Sequence, residues 1–335
     1  MDATVRKQKS DDKNLELTLR PSVWGEYIGQ EAIKKNLSIL IQAAQERKDP
    51  LEHILLHGPA GLGKTTLAYL VAKEMSANIK ITSGPAIERV GDLASLLTNL
   101  ASGDVLFIDE IHRLNKTIEE VLYPAMESRS LDIIIGKGPG ARSIQLELPP
   151  FTLVAATTRI ALLSSPLRSR FSGGTFKLEY YTIEEIEKIL RRSAAILGFA
   201  ITPDALRMTA SRARFTPRIA NRLLKRARDY AQVHKQDTID ENVAEKTLEL
   251  LGVDHEGLEE VDRQILNVLI TKFGGGPVGL NTLAAAASED IQTIEDVYEP
   301  YLLRLGFLER TPRGRVATPR AWQHFGKTPP QIKLL

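Results

Sequence analysis

Residues Gly58 to Thr65 read Gly-Pro-Ala-Gly-Leu-Gly-Lys-Thr, a full match to the phosphate-binding pattern G-x-x-x-x-G-K-[ST]. No other stretch constrains the fold as tightly, because such a loop works only between a buried strand and a helix. Ile54-Leu55-Leu56 before it is the short apolar run of a strand, and Thr66 to Lys73 behind it carries apolar residues at helical spacing. A chance match in a chain this long is roughly a one-in-a-hundred event, and the flanking pattern lowers those odds further. Gly58, Gly61 and Gly63 let the backbone wrap a polyphosphate with N–H groups aimed inward at a helix N-terminus. Lys64 reaches the outer phosphates and the Thr65 hydroxyl ligates Mg2+, while Leu62 and Thr66 complete the loop's nucleotide-facing set. A plain glycine-rich turn is the bland alternative and leaves the lysine unexplained.

Further motifs follow in an order that suits nucleotide hydrolysis. The apolar run Asp104 to Ile108 ends in Asp109-Glu110, the Walker B arrangement: Asp109 to hold Mg2+, Glu110 to polarise the attacking water. Alone, such a pair marks no more than a strand end; behind a P-loop it gains a role. Phe151 to Ala156 is a third strand, ending in Thr157-Thr158-Arg159, where Thr158 can sit between the two Walker strands. Arg168 and Arg170 lie in Ser165-Pro166-Leu167-Arg168-Ser169-Arg170-Phe171, either as solvated surface or as a group that reaches a neighbouring subunit's site. From Ile183 to about Leu251 the pattern is all helical, and Thr216-Pro217-Arg218 opens a helix with proline in its first turn. Arg218 at that start can reach back toward a nucleotide, or it is one of several solvated charges in a basic helix.

Composition excludes as much as it suggests. The chain of 335 residues has room for two or three domains. It has no cysteine, so disulfides, thiolate metal sites and cysteine nucleophiles are out. His53 and His57 stand four apart, but without the glutamate of H-E-x-x-H and on a strand they make a poor metal site. No apolar run spans a bilayer, and the polar start Met1 to Lys13 reads as a frayed tail rather than a signal, so a cytoplasmic location is expected.

The last eighty residues have their own pattern. Val261, Ile265, Leu266, Val268 and Leu269 mark one helix, Leu280 to Ala287 a second, and Ile294, Val297, Tyr298, Tyr301 and Leu302 a third. Two short strands follow, Phe307 to Thr311 and Arg315 to Thr318, giving the winged-helix order. From Arg304 onward Arg304, Arg310, Arg313, Arg315, Arg320, Lys327 and Lys333 are opposed only by Glu309, which suits phosphate contact without base reading. Such modules also dock proteins, and pattern alone leaves both uses open.

This motif order resembles the AAA+ ATPases. Longer strings are similar to the RuvB family of Holliday-junction motors: Leu19-Arg20-Pro21, Tyr27-Ile28-Gly29-Gln30, Gly136-Lys137-Gly138-Pro139, Pro166 to Phe171, Thr216 to Leu224, and Gly274-Gly275-Gly276-Pro277-Val278-Gly279-Leu280 through Arg315. The resemblance covers residue 16 to the end. It implies an α/β P-loop (AAA+) domain with a parallel sheet over residues 1–182, an all-α lid over 183–255 and a C-terminal winged-helix domain over 256–335. It further implies an adenine pocket from Leu19, Arg20, Tyr27 and Ile28, with Tyr181 near the nucleotide. Thr158 becomes the first sensor, Arg218 the second, Arg170 a finger that reaches the neighbour's nucleotide in trans, and Glu127 part of a segment that faces nucleotide at the subunit boundary. Arg310 and Arg315 take the DNA phosphates. Leu131 to Leu148 includes a hairpin that docks on RuvA, though Ile133-Ile134-Ile135 fits a buried strand equally well. ATP and Mg2+ are the implied cofactors. The implied partners are duplex DNA and Holliday junctions, RuvA, RuvC in the resolving complex, and further copies of the chain in a homohexamer.

Four places in the chain depart from that family's usual pattern. Ala60 stands for proline, Ser128-Arg129 for an acidic-aromatic pair, Ser172-Gly173-Gly174 is one residue longer than usual, and Phe215 replaces glycine before Thr216. None removes a catalytic group; Phe215 forgoes glycine's freedom at positive φ, which points to altered rate or coupling. Two other readings stay open: an AAA+ loader that uses ATP to deliver a partner without moving strands, and a DNA-binding adaptor with a vestigial nucleotide site. The intact Lys64, Asp109, Glu110 and Arg170 argue against the second.

Overall fold

A computed structural model describes residues 17–135 and 142–329. The chain divides into two compact units, one running up to Ile189 and including Thr216–Arg218, the other holding Leu190–Phe215 and everything from Ile219 on.

The first unit is built on β1 (Ile54–His57), β2 (Ile79–Ser83), β3 (Val105–Asp109), the hairpin strands β4 (Ser130–Ile135) and β5 (Arg142–Glu147), β6 (Thr152–Thr157) and β7 (Gly174–Lys177). Five of these form one parallel sheet in the order β2-β3-β6-β1-β7. Its three middle strands are the apolar runs flagged in the sequence, and β6 is buried at every residue, as strands covered on both faces must be. Alternate residues serve alternate faces. Leu55, Leu106, Ile108, Leu153 and Ala155 join Leu93, Leu97, Leu122 and Met126 in one cluster, supplied by α3 (Val90–Thr98) and α4 (Lys116–Glu127). Before them in the chain, α1 (Glu31–Arg47) packs against α2 (Lys64–Glu74), and α2 lies against β3 and β6. The short α5 (Ser165–Ser169) is capped by the Ser164 hydroxyl, which accepts from the Leu167 N–H.

The hairpin β4–β5 pairs in antiparallel register as a sheet of its own, outside the central one. Its turn, with the string Gly136-Lys137-Gly138-Pro139, lies outside the described residues, as do Met1 to Lys13 and Lys333.

After β7, α6 (Ile183–Leu197), α7 (Pro203–Ser211), α8 (Pro217–Val233) and α9 (Glu241–Leu250) supply the helices expected between Ile183 and Leu251; α6 up to Ile189 and the Pro217-Arg218 start of α8 belong to the first unit, the rest to the second. The stretch is not wholly helical, however. Ala200–Ile201 (β8) pairs in parallel with Thr238–Ile239 (β9), each entering a helix capped by a side chain, Thr202 before α7 and Asp240 before α9. Two-residue strands leave no periodic trace in a sequence.

Past them, α10 (Glu260–Phe273), α11 (Leu280–Ala287) and a third helical stretch precede the antiparallel wing β10 (Leu308–Thr311) and β11 (Gly314–Ala317). The third stretch is Ile291–Thr293, a π-helical turn Ile294–Tyr298, then α12 (Glu299–Arg304). Its core includes Ile265, Leu269, Leu283, Leu302 and Phe307. A last helix, α13 (Pro319–His324), follows the wing and has no counterpart in the sequence reading.

Arg214 and Phe215 both adopt positive φ, 52° and 56°. For a side chain with a Cβ this conformation costs about 1–2 kcal/mol, and the surroundings hold it in place. The Arg214 guanidinium donates to Asp262 Oδ1 at 2.9 Å and lies 4.3 Å over the Tyr301 ring. Arg304 stacks over the Phe215 ring at 4.5 Å. Asp262 is wholly buried, and burial, opposed by Arg214, pushes its carboxyl up to about 6. Among the described residues no helix is long and apolar enough to cross a membrane.

Candidate functional site

The strand order brings the sequence motifs to one edge. β1 ends in the glycine loop, β3 ends in Asp109, and β6, which lies between them, ends at Thr157. All three chain ends emerge at the carboxyl side of a parallel sheet, where ligands of open α/β sheets bind.

The loop is shaped for an oligoanion. At Gly63, φ is +97° and a Cβ would lie 2.9 Å from the Tyr27 hydroxyl, so neither the conformation nor the space admits a side chain. Lys64 opens α2 and is buried; its ammonium donates to the loop's own carbonyls, Gly58 O at 2.7 Å and Pro59 O at 2.8 Å. Burial lowers its pKa to about 8, against the pull of Asp109 and Glu110 and with the repulsion of Arg218. Burial raises the Asp109 carboxyl; the neighbouring Glu110 charge adds to this, while the Glu110 N–H, donating to Asp109 Oδ1 at 2.9 Å, works against it. A lysine and a carboxylate that both hold their charge at a cost are groups that gain from phosphate and from a cation.

Glu110 sits at φ 48°, turning its side chain off the strand end. Thr158 donates to its Oε2 at 3.1 Å. His112 Nδ1 lies 3.2 Å from the same oxygen and 2.9 Å from the Thr157 hydroxyl. Glu110 is therefore oriented by a strand-end threonine and by a histidine two residues on, which the sequence reading passed over. The string Asp109-Glu110-Ile111-His112 carried that signal, since the short 3-10 turn Ile111–Arg113 folds His112 back.

Arg218 belongs to the same unit, and its N–H donates to Gly61 O at 3.4 Å, so the loop and the start of α8 touch. A Cβ on Gly61 would stand 3.1 Å from Arg218 Cβ. The structure also brings Tyr27, Leu62 and Tyr181 together: the Tyr181 hydroxyl donates to Leu62 O at 3.2 Å and lies 3.4 Å from Tyr27 Oη. Both phenols are buried and raised, Tyr181 to about 12. Leu19 is buried, Ile28 half-buried, and Arg20 stacks 5.7 Å over the Tyr69 ring. Thr65 and Thr66 are half-buried on the first turn of α2.

Arg170 makes a separate cluster with Glu127. Its Nη2 lies 3.1 Å from Glu127 Oε1, its Nη1 donates to Pro166 O at 2.6 Å, and its guanidinium lies 4.3 Å over Tyr123. Its Nε is buried without a hydrogen-bond partner. In the wing, Arg310 and Arg315 both bond Glu299.

Nucleotide and Mg2+ fit these residues. The loop excludes side chains and Lys64 fills its mouth with an ammonium. No group of three or more His, Cys, Asp or Glu able to hold a metal occurs among the described residues. Thr65 and Asp109 are the hydroxyl and carboxylate oxygens at this edge that suit a hard divalent ion, which would need further oxygens from outside the protein.

Three family models match in succession: the Holliday junction DNA helicase RuvB P-loop domain over residues 19–177, the RuvB AAA lid domain over 181–254, and the RuvB C-terminal winged helix domain over 255–326. A curated relative, the Holliday junction branch migration complex subunit RuvB of Dehalococcoides mccartyi (strain CBDB1), is 59% identical over 319 residues, 95% of this chain and 91% of that protein. The solved structure of the Thermotoga maritima RuvB Holliday junction branch migration motor superposes with a TM-score of 0.84 at 50% identity, over 92% of this chain and 99% of that one. A mutant of the same Thermotoga protein gives 0.85 at 50% identity, over 92% of this chain and 98% of its own.

Proposed function

The chain belongs to the RuvB family of AAA+ ATPases, and from that membership we propose that it drives branch migration of Holliday junctions, as a homohexameric ring loaded by RuvA and joined by RuvC in the resolving complex. The observation that carries most weight is Glu110 held by Thr158 on the sheet edge that presents Lys64 and the glycine loop.

ATP is the nucleotide in this reading. Gly58, Gly61, Leu62, Gly63, Lys64, Thr65 and Thr66 cradle its phosphates, Leu19, Arg20, Tyr27 and Ile28 enclose the base, and Tyr181 lies near the nucleotide. Thr65 and Asp109 hold Mg2+, which when bound spreads the charge on the outer phosphates. Glu110 accepts a proton from the attacking water through the carboxylate that Thr158 and His112 orient. Arg218 reports the nucleotide's outer end, and Arg170, with Glu127 beside it, faces the neighbouring subunit. Hydrolysis at subunit boundaries pulls duplex through the ring, and a motor that must grip every register suits the wing's phosphate-directed charge. The domain limits 1–182, 183–255 and 256–335 and a cytoplasmic location go with this proposal.

ATP-dependent dissociation of a synthetic four-way junction, with RuvA supplied and a plain duplex of equal length as control, tests the assignment. Resolution of the junction into duplex arms is the expected outcome. Robust ATP turnover with an untouched junction would move the chain to the loaders.

The Lys64 ammonium adds a pH dependence. Free, it holds its proton only up to about 8; facing phosphate oxygens it holds it to higher pH. Affinity for ATP is then full below pH 8 and falls as pH rises past it, by up to tenfold per unit, with a proton taken up on binding. Titration calorimetry at pH 9 in two buffers of different ionisation enthalpy reads that uptake; equal heats in both count against it.

A further inference from the structure

Glu299 is the least exposed carboxylate of the wing region, at 0% side-chain exposure, and the mechanism above makes no use of it. It begins α12 and accepts four hydrogen bonds from two arginines. Its Oε1 takes Arg310 Nε at 3.1 Å and Arg315 Nε at 2.9 Å; its Oε2 takes Arg310 Nη2 at 2.7 Å and Arg315 Nη2 at 3.0 Å. Arg310 and Arg315 are Cα partners across β10 and β11, so their like charges stand directly opposite, a destabilising pair unless something sits between them. Glu299 occupies both guanidinium forks in the manner of a phosphate.

The two arms differ. Arg315 is 14% exposed and its backbone is tied to Val278 by two hydrogen bonds, whereas Arg310 is 51% exposed. The exposed Arg310 side chain has solvent to turn into, whereas that of Arg315 is packed in.

We propose that Glu299 is a built-in counter-ion that competes with DNA phosphate for the wing arginines and so keeps the wing's hold on duplex weak enough to release. This rests on the reading that the wing touches DNA backbone. Arg315 ties the carboxylate down, and Arg310 is the arm that passes between Glu299 and phosphate. The three groups sum to +1. Freed of its carboxylate the pair carries +2, and each added phosphate contact steepens the salt dependence of log K by about 0.9, which is about threefold more affinity lost between 50 and 200 mM salt.

Duplex binding by the full-length protein with a non-hydrolysable ATP analogue, across a salt series, tests this with four variants. Glu299→Gln, at +2, binds at least about threefold more tightly at 50 mM salt and with a slope steeper by about 1. Arg310→Ala and Arg315→Gln, each at zero, bind more weakly with shallower slopes. Glu299→Gln combined with Arg315→Gln restores +1 and wild-type affinity; it also carries the test if Glu299→Gln alone fails to fold. Unchanged or weaker binding by a folded Glu299→Gln overturns the proposal. So does a double variant no tighter than Arg315→Gln, which makes Arg315 itself the phosphate contact. Binding unaffected by Arg310→Ala sinks the wing–DNA reading beneath it instead.

Discussion

Arg170→Ala lowers steady-state ATP turnover of the assembled protein by about 10³-fold, the scale of a lost arginine finger, while ATP affinity changes little. Within its own subunit Arg170 already donates to the Pro166 carbonyl and pairs with Glu127, while its Nε is buried and unpaired. A guanidinium held 4.3 Å over the Tyr123 ring and paired on two sides is already ordered, so little conformational freedom has to be lost when it meets a developing charge. The test that separates action in trans from action in cis is mixing. Arg170→Ala subunits keep their Glu110, and Glu110→Gln subunits keep their Arg170. Combined in equal amounts, two inactive proteins rebuild an intact boundary at about a quarter of positions by chance, and turnover returns. Turnover that stays at the level of either variant alone makes Arg170 a cis residue and its cluster with Glu127 a packing feature.

Glu110→Gln has an effect of similar size for a different reason. Gln keeps the shape and can accept from Thr158, but it cannot take a proton, so turnover falls about 10²–10⁴-fold. Nucleotide binding persists, because Lys64 and the glycine loop are untouched. Rapid-quench single-turnover measurement with labelled ATP, alongside an equilibrium binding assay, distinguishes the two: slow cleavage with undiminished affinity is expected. Near-wild-type cleavage would hand the base to another group, and loss of affinity would make Glu110 part of the nucleotide cradle instead.

The parts of this site that were legible in the sequence are those whose chemistry sits in consecutive residues. The loop from Gly58 to Thr65, the pair Asp109-Glu110 at a strand end and Thr158 at another each declare a strand terminus and a reactive group together. The structure does set β6 between β1 and β3, as a Thr158 lying between the two Walker strands requires, although the apolar runs themselves mark strands and not their order. What could not be read is pairing across the fold. Thr158 meets Glu110 across 48 positions, Tyr181 meets Leu62 across 119, and nothing periodic links them. The wing shows this most sharply. Counting charges from Arg304 onward gives a basic surface, because Glu299 lies just outside the count, yet that one buried residue holds two of the cations. The pair β8 and β9 was lost for want of length, and α13 because its six residues follow a strand too closely to show a helical repeat.

Phe215 illustrates a departure whose cost is visible in the backbone. Its φ of 56° is one glycine takes freely, and the Arg304 and Tyr301 contacts around its ring are what a glycine there would lack.

The buried pair of Arg214 and Asp262 ties the helices after Leu190 to the first helix of the winged module. In mechanical terms that pair acts as a clasp: pulling the two elements apart would leave a buried ion without its partner, so it resists any force that separates them.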